Sequence, residues 1–462
     1  MDLVKDILYP LYQQSGKVTT DSRHVTPGAL FFALKGERFD GNAFATQALQ
    51  QGATCCVLSD PTQETDARCF VVDDVLATLQ QLARHHRTQM QCPVIGVTGT
   101  NGKTTTKELM HAVLARRYRV HATKGNLNNH LGVPLTILSA PRDTEVMVVE
   151  MGANHIGEIA TLCHIAQPTF GLITTVGKAH LEGFGSFEGV VEAKTELYRY
   201  LAANGGTAFV DDSNATLMAQ AASLSTIPDL PSSLPGVVPP MMTTFKEADK
   251  TGPLMSVVTY GDTDTADVRG TRVSASPYLK FYFEEGSDVY SVQTQLVGSY
   301  NFVNAMAAVC VGRHFGVSLF DIKEALEQYA PSNHRSEYRE TGRNALVLDC
   351  YNANPSSMEV AIDSFAAMPQ RTKWAVIGSM KELGADSEKE HQAIARKLMT
   401  SNLQGIILVG EEFQFAQHEE GILWFATTEE AKEYLHSHPI QGAAVLLKGS
   451  NMNRMWDLEE TL

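Results

Sequence analysis

Val94-Ile95-Gly96-Val97-Thr98-Gly99-Thr100-Asn101-Gly102-Lys103-Thr104-Thr105-Thr106 is the run that decides the fold of this chain. Pro93 opens it, apolar residues then read as a buried strand, a Gly-rich turn follows, and a helix is predicted from about Lys103. Glycines let backbone amides turn inward on phosphate oxygens, and a helix N-terminus adds partial positive charge. The turn Gly99-Thr100-Asn101-Gly102 with Lys103, Thr104 and Thr105 is therefore expected to cradle a nucleotide phosphate chain. Lys103 would reach the β- and γ-phosphates, and the Thr104 hydroxyl would bind magnesium. The generic motif has glycine five residues before Gly102, where this chain has Val97. Gly-Lys-Thr in its strand-turn-helix setting carries the reading instead.

Outward from this run, strands and helices alternate. Toward the N-terminus, short apolar strands are predicted at Leu30 to Ala33, Cys55 to Leu58 and Cys69 to Val72. Toward the C-terminus they recur at Val146 to Val149 and Gly171 to Thr174, and then at Ala345 to Leu348, Trp374 to Ile377, Gly405 to Val409 and Ala443 to Leu447. That alternation predicts parallel, doubly wound sheets. A chain of 462 residues exceeds one hydrophobic core. The expected fold is α/β in three domains: residues 1–91, a central P-loop parallel-sheet ATPase domain over 92–329, and a Rossmann-like domain over 330–462. Pro228 to Pro240 carries five prolines and reads as an exposed loop or insertion.

The formal net charge is -15, from 52 acidic and 37 basic residues, which argues against nucleic acid or an anionic membrane as partner. A few local donors can still hold an anionic nucleotide against that screened background. Met1 to Tyr12 has no long apolar run, and no stretch of about 18 apolar residues occurs, so neither secretion nor membrane insertion is expected. The seven cysteines lack CxxC spacing and read as reduced cytoplasmic thiols.

Val148-Val149-Glu150-Met151-Gly152 ends a predicted strand in a carboxylate, at the strand end where parallel sheets bind ligands. His180-Leu181-Glu182 and Glu192-Ala193-Lys194-Thr195-Glu196 follow, and Lys124-Gly125-Asn126-Leu127-Asn128-Asn129 precedes. Taken singly these are weak: the lysine suits a solvated salt bridge with Glu192 or Glu196, and the asparagines suit a turn. Together with Thr98-Gly99-Thr100-Asn101-Gly102-Lys103-Thr104-Thr105, the set resembles the ATP loop and central domain of the Mur ligase family. The resemblance implies ATP and two magnesium ions, the first held by Thr104 and Glu150. The second would be held by His180 and by Lys194 in carbamylated form. Lys103, Lys194, His180 and Arg335 are the implied catalytic residues. Asn301, Arg335 and Asp349 would join the loop residues in binding ATP.

The first unit carries Thr20-Asp21-Ser22-Arg23, Lys35-Gly36 and Asp40-Gly41, similar to the family's UDP-sugar domain, with Ser22, Arg23 and Lys35 as donors. Asp349-Cys350-Tyr351-Asn352-Ala353-Asn354-Pro355-Ser356-Ser357-Met358 is similar to the signature of members that add D-alanyl-D-alanine. Tyr351, Asn352 and Asn354, with Asn128 and Asn129, are its implied substrate contacts. Gly378-Ser379-Met380-Lys381-Glu382-Leu383-Gly384 and Lys448-Gly449-Ser450 also resemble that branch, and the Asp-Asn-Pro-Arg run of diaminopimelate-adding members is absent. Two positions depart from the family: Tyr300 stands where histidine is usual, and Ser332-Asn333-His334-Arg335 lacks the glycine before its arginine.

The resemblance implies a monomeric cytoplasmic enzyme that joins D-alanyl-D-alanine to UDP-N-acetylmuramoyl-tripeptide through an acyl phosphate, for peptidoglycan synthesis. Its nearest rival is the member adding the third amino acid. A different class, a P-loop kinase or GTPase switch, would want a guanine-reading Asn-Lys-x-Asp run, which this chain lacks. A noncatalytic nucleotide-binding scaffold would tolerate loss of Glu150 or His180.

Overall fold

The fold is taken from a computed structural model of the chain, which describes residues 2–37, 39–179, 181–225 and 255–462. His180 and the segment Pro228 to Pro240 lie outside the described residues.

Three sheets form. The first is all parallel in the order β1 (Val18–Thr19), β2 (Leu30–Phe32), β3 (Cys55–Leu58), β4 (Cys69–Val71). The second has nine strands: β5 (Val94–Thr98), β6 (Val120–Ala122), β7 (Val146–Glu150), β8 (Phe170–Ile173), β9 (Thr207–Asp211), β10 (Ser256–Gly261), β11 (Val268–Ala275), β12 (Tyr278–Glu285) and β13 (Asp288–Val297). Its spatial order is β13-β12-β11-β10-β9-β8-β5-β7-β6. The third consists of β14 (Glu337–Glu340), β15 (Ala345–Asp349), β16 (Lys373–Gly378), β17 (Gly405–Val409), β18 (Ile422–Phe425) and β19 (Ala444–Lys448), ordered β14-β15-β19-β16-β17-β18.

Every residue of β5, β7 and β19 is buried, as continuous apolar strands covered by helices on both faces must be. The far edge of the central sheet departs from the parallel pattern expected. β11, β12 and β13 pair antiparallel. In β12 the period is two: Leu279, Phe281 and Phe283 are fully buried, while Tyr278, Lys280 and Tyr282 are half-buried. Glu285 pairs with Asp288 across a two-residue turn whose Gly286 takes φ 60°.

Topology then positions the site. β5 lies between β7 and β8, with Val97 beside Glu150 and Thr98 beside Ile173, so the loops after all three strands open at one end. In the third sheet β19 lies between β15 and β16, which sets Lys448 beside Asp349.

The units are joined unequally. One apolar cluster runs from Leu8, Leu30, Leu79 and Leu82 of the first unit into Val94, Ile137, Met147 and Leu197 of the second. Tyr12 Oη adds a 2.7 Å hydrogen bond to the Leu138 carbonyl. The third unit keeps two clusters, one on each side of its own sheet, with Val297 and Tyr278 of the central sheet packed into one of them. All seven cysteines are buried free thiols. Among the described residues no helix is long and apolar enough to cross a membrane.

Candidate active site at the phosphate loop

The turn after β5 is held by the turn after β8. Thr100 N donates to the Thr175 carbonyl at 2.8 Å, Asn101 N to Thr175 Oγ1 at 3.0 Å, and Gly177 N to Thr100 Oγ1 at 3.0 Å. Two glycines are sterically required there. Gly99 has φ 140°, and a Cβ would come within 2.1 Å of Thr174 Oγ1; Gly102 has φ 84°, and a Cβ would come within 2.5 Å of Asn304 Oδ1. Lys103, first residue of the helix Lys103–Leu114, folds back over the turn and donates to the Gly99 and Thr100 carbonyls at 2.6 and 3.1 Å. Burial pushes its ammonium below the ordinary lysine range; Glu150 opposes that shift and Arg335 adds to it.

Glu150, at the end of β7, is 1% exposed. Its Oε1 accepts from Asn128 Nδ2 at 2.8 Å and Thr104 Oγ1 at 3.2 Å, while its Oε2 is buried without a hydrogen-bond partner among the described residues. An orphaned buried carboxylate oxygen is costly. A hydroxyl and a carboxylate converging beside a phosphate loop form the hard-oxygen donor set that magnesium takes, so Thr104 and Glu150 fit such an ion. No group of three His, Cys, Asp or Glu side chains converges among the described residues. Magnesium, which keeps waters and binds substrate phosphates, does not require one.

A cavity of about 1030 Å³ opens over this loop, between the second and third units. Thr100 to Thr105, Asn128, Asn129 and Glu150 line one side; Arg335, Asp349, Tyr351 and Asn352 line the other. The Arg335 guanidinium lies 4.0 Å over the Tyr351 ring. Asn354 acts between the units. It caps the helix Pro355–Ala366 by accepting from Ser357 N at 2.9 Å, and its Nδ2 donates to Asn101 Oδ1 at 2.8 Å. Lys178 N donates to Ser356 Oγ at 2.9 Å across the same junction.

Lys194 departs from the surface salt bridge its Glu-rich helix suggests. It is 2% exposed, its Nζ donates to the Ala153 carbonyl at 3.1 Å, and it lies 5.0 Å from the Phe184 ring centre. Burial, reinforced by the charge of Lys103, lowers its pKa to about 7 against the pull of Glu158 and Glu196. Glu196 instead holds the start of the neighbouring helix Glu158–Ala166, accepting from Gly157 N and Ala160 N at 2.5 and 2.7 Å.

The remaining proposed residues are placed variously. Asn301 is fully buried, its Nδ2 donating to the Val297 carbonyl at 2.7 Å and its Oδ1 accepting from Asn304 at 2.9 Å. Asn129 Oδ1 accepts from Gly132 N at 2.8 Å, which is turn chemistry, although the residue also lines the cavity. Ser22, Arg23 and Lys35 do not line it; Arg23 is exposed and forked onto Asp21 at 2.9 and 2.8 Å. Among the lining residues that carried no role from sequence are Asn304 and Lys448. Asn304 accepts from Thr106 Oγ1 at 3.0 Å and braces the phosphate-loop helix; its spacing of three from Asn301 put it on the same helix face. Lys448 ends an otherwise apolar buried strand, an unusual place for a lysine.

Comparison with known proteins places the chain as a whole. The family descriptions "Mur ligase family, catalytic domain", "Mur ligase middle domain" and "Mur ligase, glutamate ligase domain" match residues 16–97, 97–228 and 334–451. UDP-N-acetylmuramoyl-tripeptide–D-alanyl-D-alanine ligase of Bacillus subtilis is 34% identical over 417 residues, covering 89% of this chain and 84% of that protein. Its Escherichia coli counterpart is 33% identical, covering 88% and 83%. The crystal structure of MurF from Acinetobacter baumannii superposes with TM-score 0.81 at 32% identity, covering 96% and 92%. MurF ligase from Thermotoga maritima in complex with ADP gives TM-score 0.81 at 28% identity, covering 100% and 98%. With its sequence, its three-sheet fold and its phosphate loop in agreement, the chain belongs to the Mur ligase family.

Proposed function

We propose that this chain joins D-alanyl-D-alanine to UDP-N-acetylmuramoyl-tripeptide at the expense of ATP, giving the pentapeptide precursor of peptidoglycan. The observation that carries the reading is the placement of Lys103, Glu150 and Arg335 on opposite walls of one cavity, in a chain 34% and 33% identical to two ligases of that name over most of its length.

A carboxylate is a poor electrophile, so amide formation needs activation. The tripeptide's terminal carboxylate attacks the γ-phosphorus of ATP, the bond to the β-phosphate oxygen breaks, and ADP leaves an acyl phosphate. The D-alanyl-D-alanine amine then attacks the acyl carbon and expels inorganic phosphate, losing a proton. Phosphoryl transfer is mostly positioning and charge neutralisation. Lys103 would release the Gly99 and Thr100 carbonyls to donate to the phosphates, and Arg335, braced on Tyr351, would approach from the third unit. Thr104 and Glu150 would hold magnesium, which supplies charge neutralisation at the phosphates. Asp349 is assigned to the ribose hydroxyls.

For Lys194 the carbamate is the favoured form. A pKa of about 7 leaves much of the amine neutral near neutrality, the state that adds carbon dioxide, and the buried position disfavours an ammonium. His180 is proposed with it at a second magnesium. The enzyme is proposed to act as a cytoplasmic monomer, with residues 1–91 as the UDP-sugar unit.

Tripeptide labelled with ¹⁸O in its terminal carboxylate tests the chemistry. One labelled oxygen should appear in released phosphate, and the product should keep the other and gain the mass of the dipeptide less one ¹⁸O-labelled water. A phosphorylated product with no phosphate released would make the chain a kinase instead.

A further inference from the structure

Lys448 is 1% exposed, yet its residue borders the cavity. Its ammonium donates to Asp349 Oδ2 at 2.6 Å, to the Asn352 carbonyl at 3.3 Å and to the Asp349 carbonyl at 3.4 Å. The parallel register of β15 and β19 sets the two residues side by side, so the pair is built into the sheet. A buried ammonium is costly unless it is paired and hydrogen-bonded, and here all three acceptors belong to the turn 349–352. Oδ1 of Asp349 takes no hydrogen bond from any described residue, and the carboxylate remains 17% exposed. One oxygen is therefore fixed by Lys448 and the other is left for a ligand donor. The same turn carries Tyr351, the ring beneath Arg335.

We propose that Lys448 is the positioning residue for ribose recognition: it clamps one oxygen of Asp349 so that the other accepts from a sugar hydroxyl. It also pins the turn that carries Tyr351, the ring against which Arg335 lies. The inference rests on the assignment of Asp349 to the ribose. A flexible, unclamped carboxylate would lose the orientation that makes a charge-assisted hydrogen bond selective.

The test compares KM for ATP, 2′-deoxy-ATP and 3′-deoxy-ATP in the full-length enzyme and in Lys448→Met, with tripeptide and dipeptide saturating. In the wild type, at least one deoxy analogue should raise KM roughly tenfold or more, the usual effect of removing a partner from a charged acceptor. In Lys448→Met the ATP value should rise toward that of the analogue, and the ratio between them should fall toward one. A Lys448→Met enzyme whose KM rises equally for all three nucleotides, leaving the ratio unchanged, overturns the inference while the ribose assignment stands. A wild type that does not distinguish the analogues refutes the assignment of Asp349 and the inference with it. Should Lys448→Met fail to fold, the ratio is read in Lys448→Gln, where a wild-type ratio again overturns the proposal.

Discussion

Replacing Lys194 with methionine is expected to stabilise the protein near pH 7 while removing turnover. The side chain is 2% exposed, and burial together with Lys103 lowers its pKa from 10.5 to about 7. Between those values the unfolded chain holds a proton that the folded chain has released. Stability therefore rises with pH across that window and carries the full penalty below about pH 7. At about 1.4 kcal/mol per pH unit, the ceiling on the penalty is roughly 5 kcal/mol. Methionine keeps the unbranched stem but leaves the Ala153 carbonyl without its 3.1 Å donor, a loss of about 1–3 kcal/mol. The net gain should be about 2 kcal/mol at pH 6 to 7 and should vanish or reverse by pH 10. Urea unfolding followed by far-ultraviolet circular dichroism, without nucleotide, magnesium or carbon dioxide, measures it. Tryptophan fluorescence would miss it, because Trp374, Trp424 and Trp456 all lie in the third unit. A difference between variant and wild type that does not change from pH 6 to 10 would mean that no buried ammonium at Lys194 costs stability.

Other substitutions separate chemistry from folding. Lys103→Ala and Glu150→Ala should each abolish turnover with the circular dichroism spectrum unchanged; near-normal rates at saturating ATP and magnesium would remove the assigned role. Lys194→Ala should be nearly inactive and regain part of its turnover in acetate, whose oxygens replace those of the carbamate; wild-type rates without acetate would end that proposal. Asn354→Ala removes a helix cap worth about 1 kcal/mol and the bond to Asn101. It should lower the stability of the third unit by tryptophan fluorescence and raise KM for ATP. Because the first two units share one apolar cluster, closure on substrates should be a movement of the third unit alone. Scattering profiles unchanged by nucleotide and tripeptide would count against it.

The parallel strands were legible in sequence because unbroken apolar runs such as Val94 to Val97 and Val146 to Val149 cannot be anything but buried. β10 to β13 were missed, since Tyr278 to Glu285 reads as a mixed polar stretch until its alternation is matched to a two-sided sheet. In the site, the phosphate loop announced itself by following a strand and Glu150 by ending one. The roles of Asn304 and Lys448 did not, because each depends on a partner distant in sequence: Thr106 for one, Asp349 for the other. The burial of Lys194 was hidden by Glu192 and Glu196, whose charges suggested a solvent face, whereas Glu196 turns inward to the helix start at Gly157.

Ligation of D-alanyl-D-alanine is read from phosphate release from ATP with UDP-N-acetylmuramoyl-tripeptide, measured with D-alanyl-D-alanine, with single free amino acids, and with no acceptor. Release should be sustained with the dipeptide and small without it. Equal release with a free amino acid, or release that ignores the acceptor altogether, would contradict it.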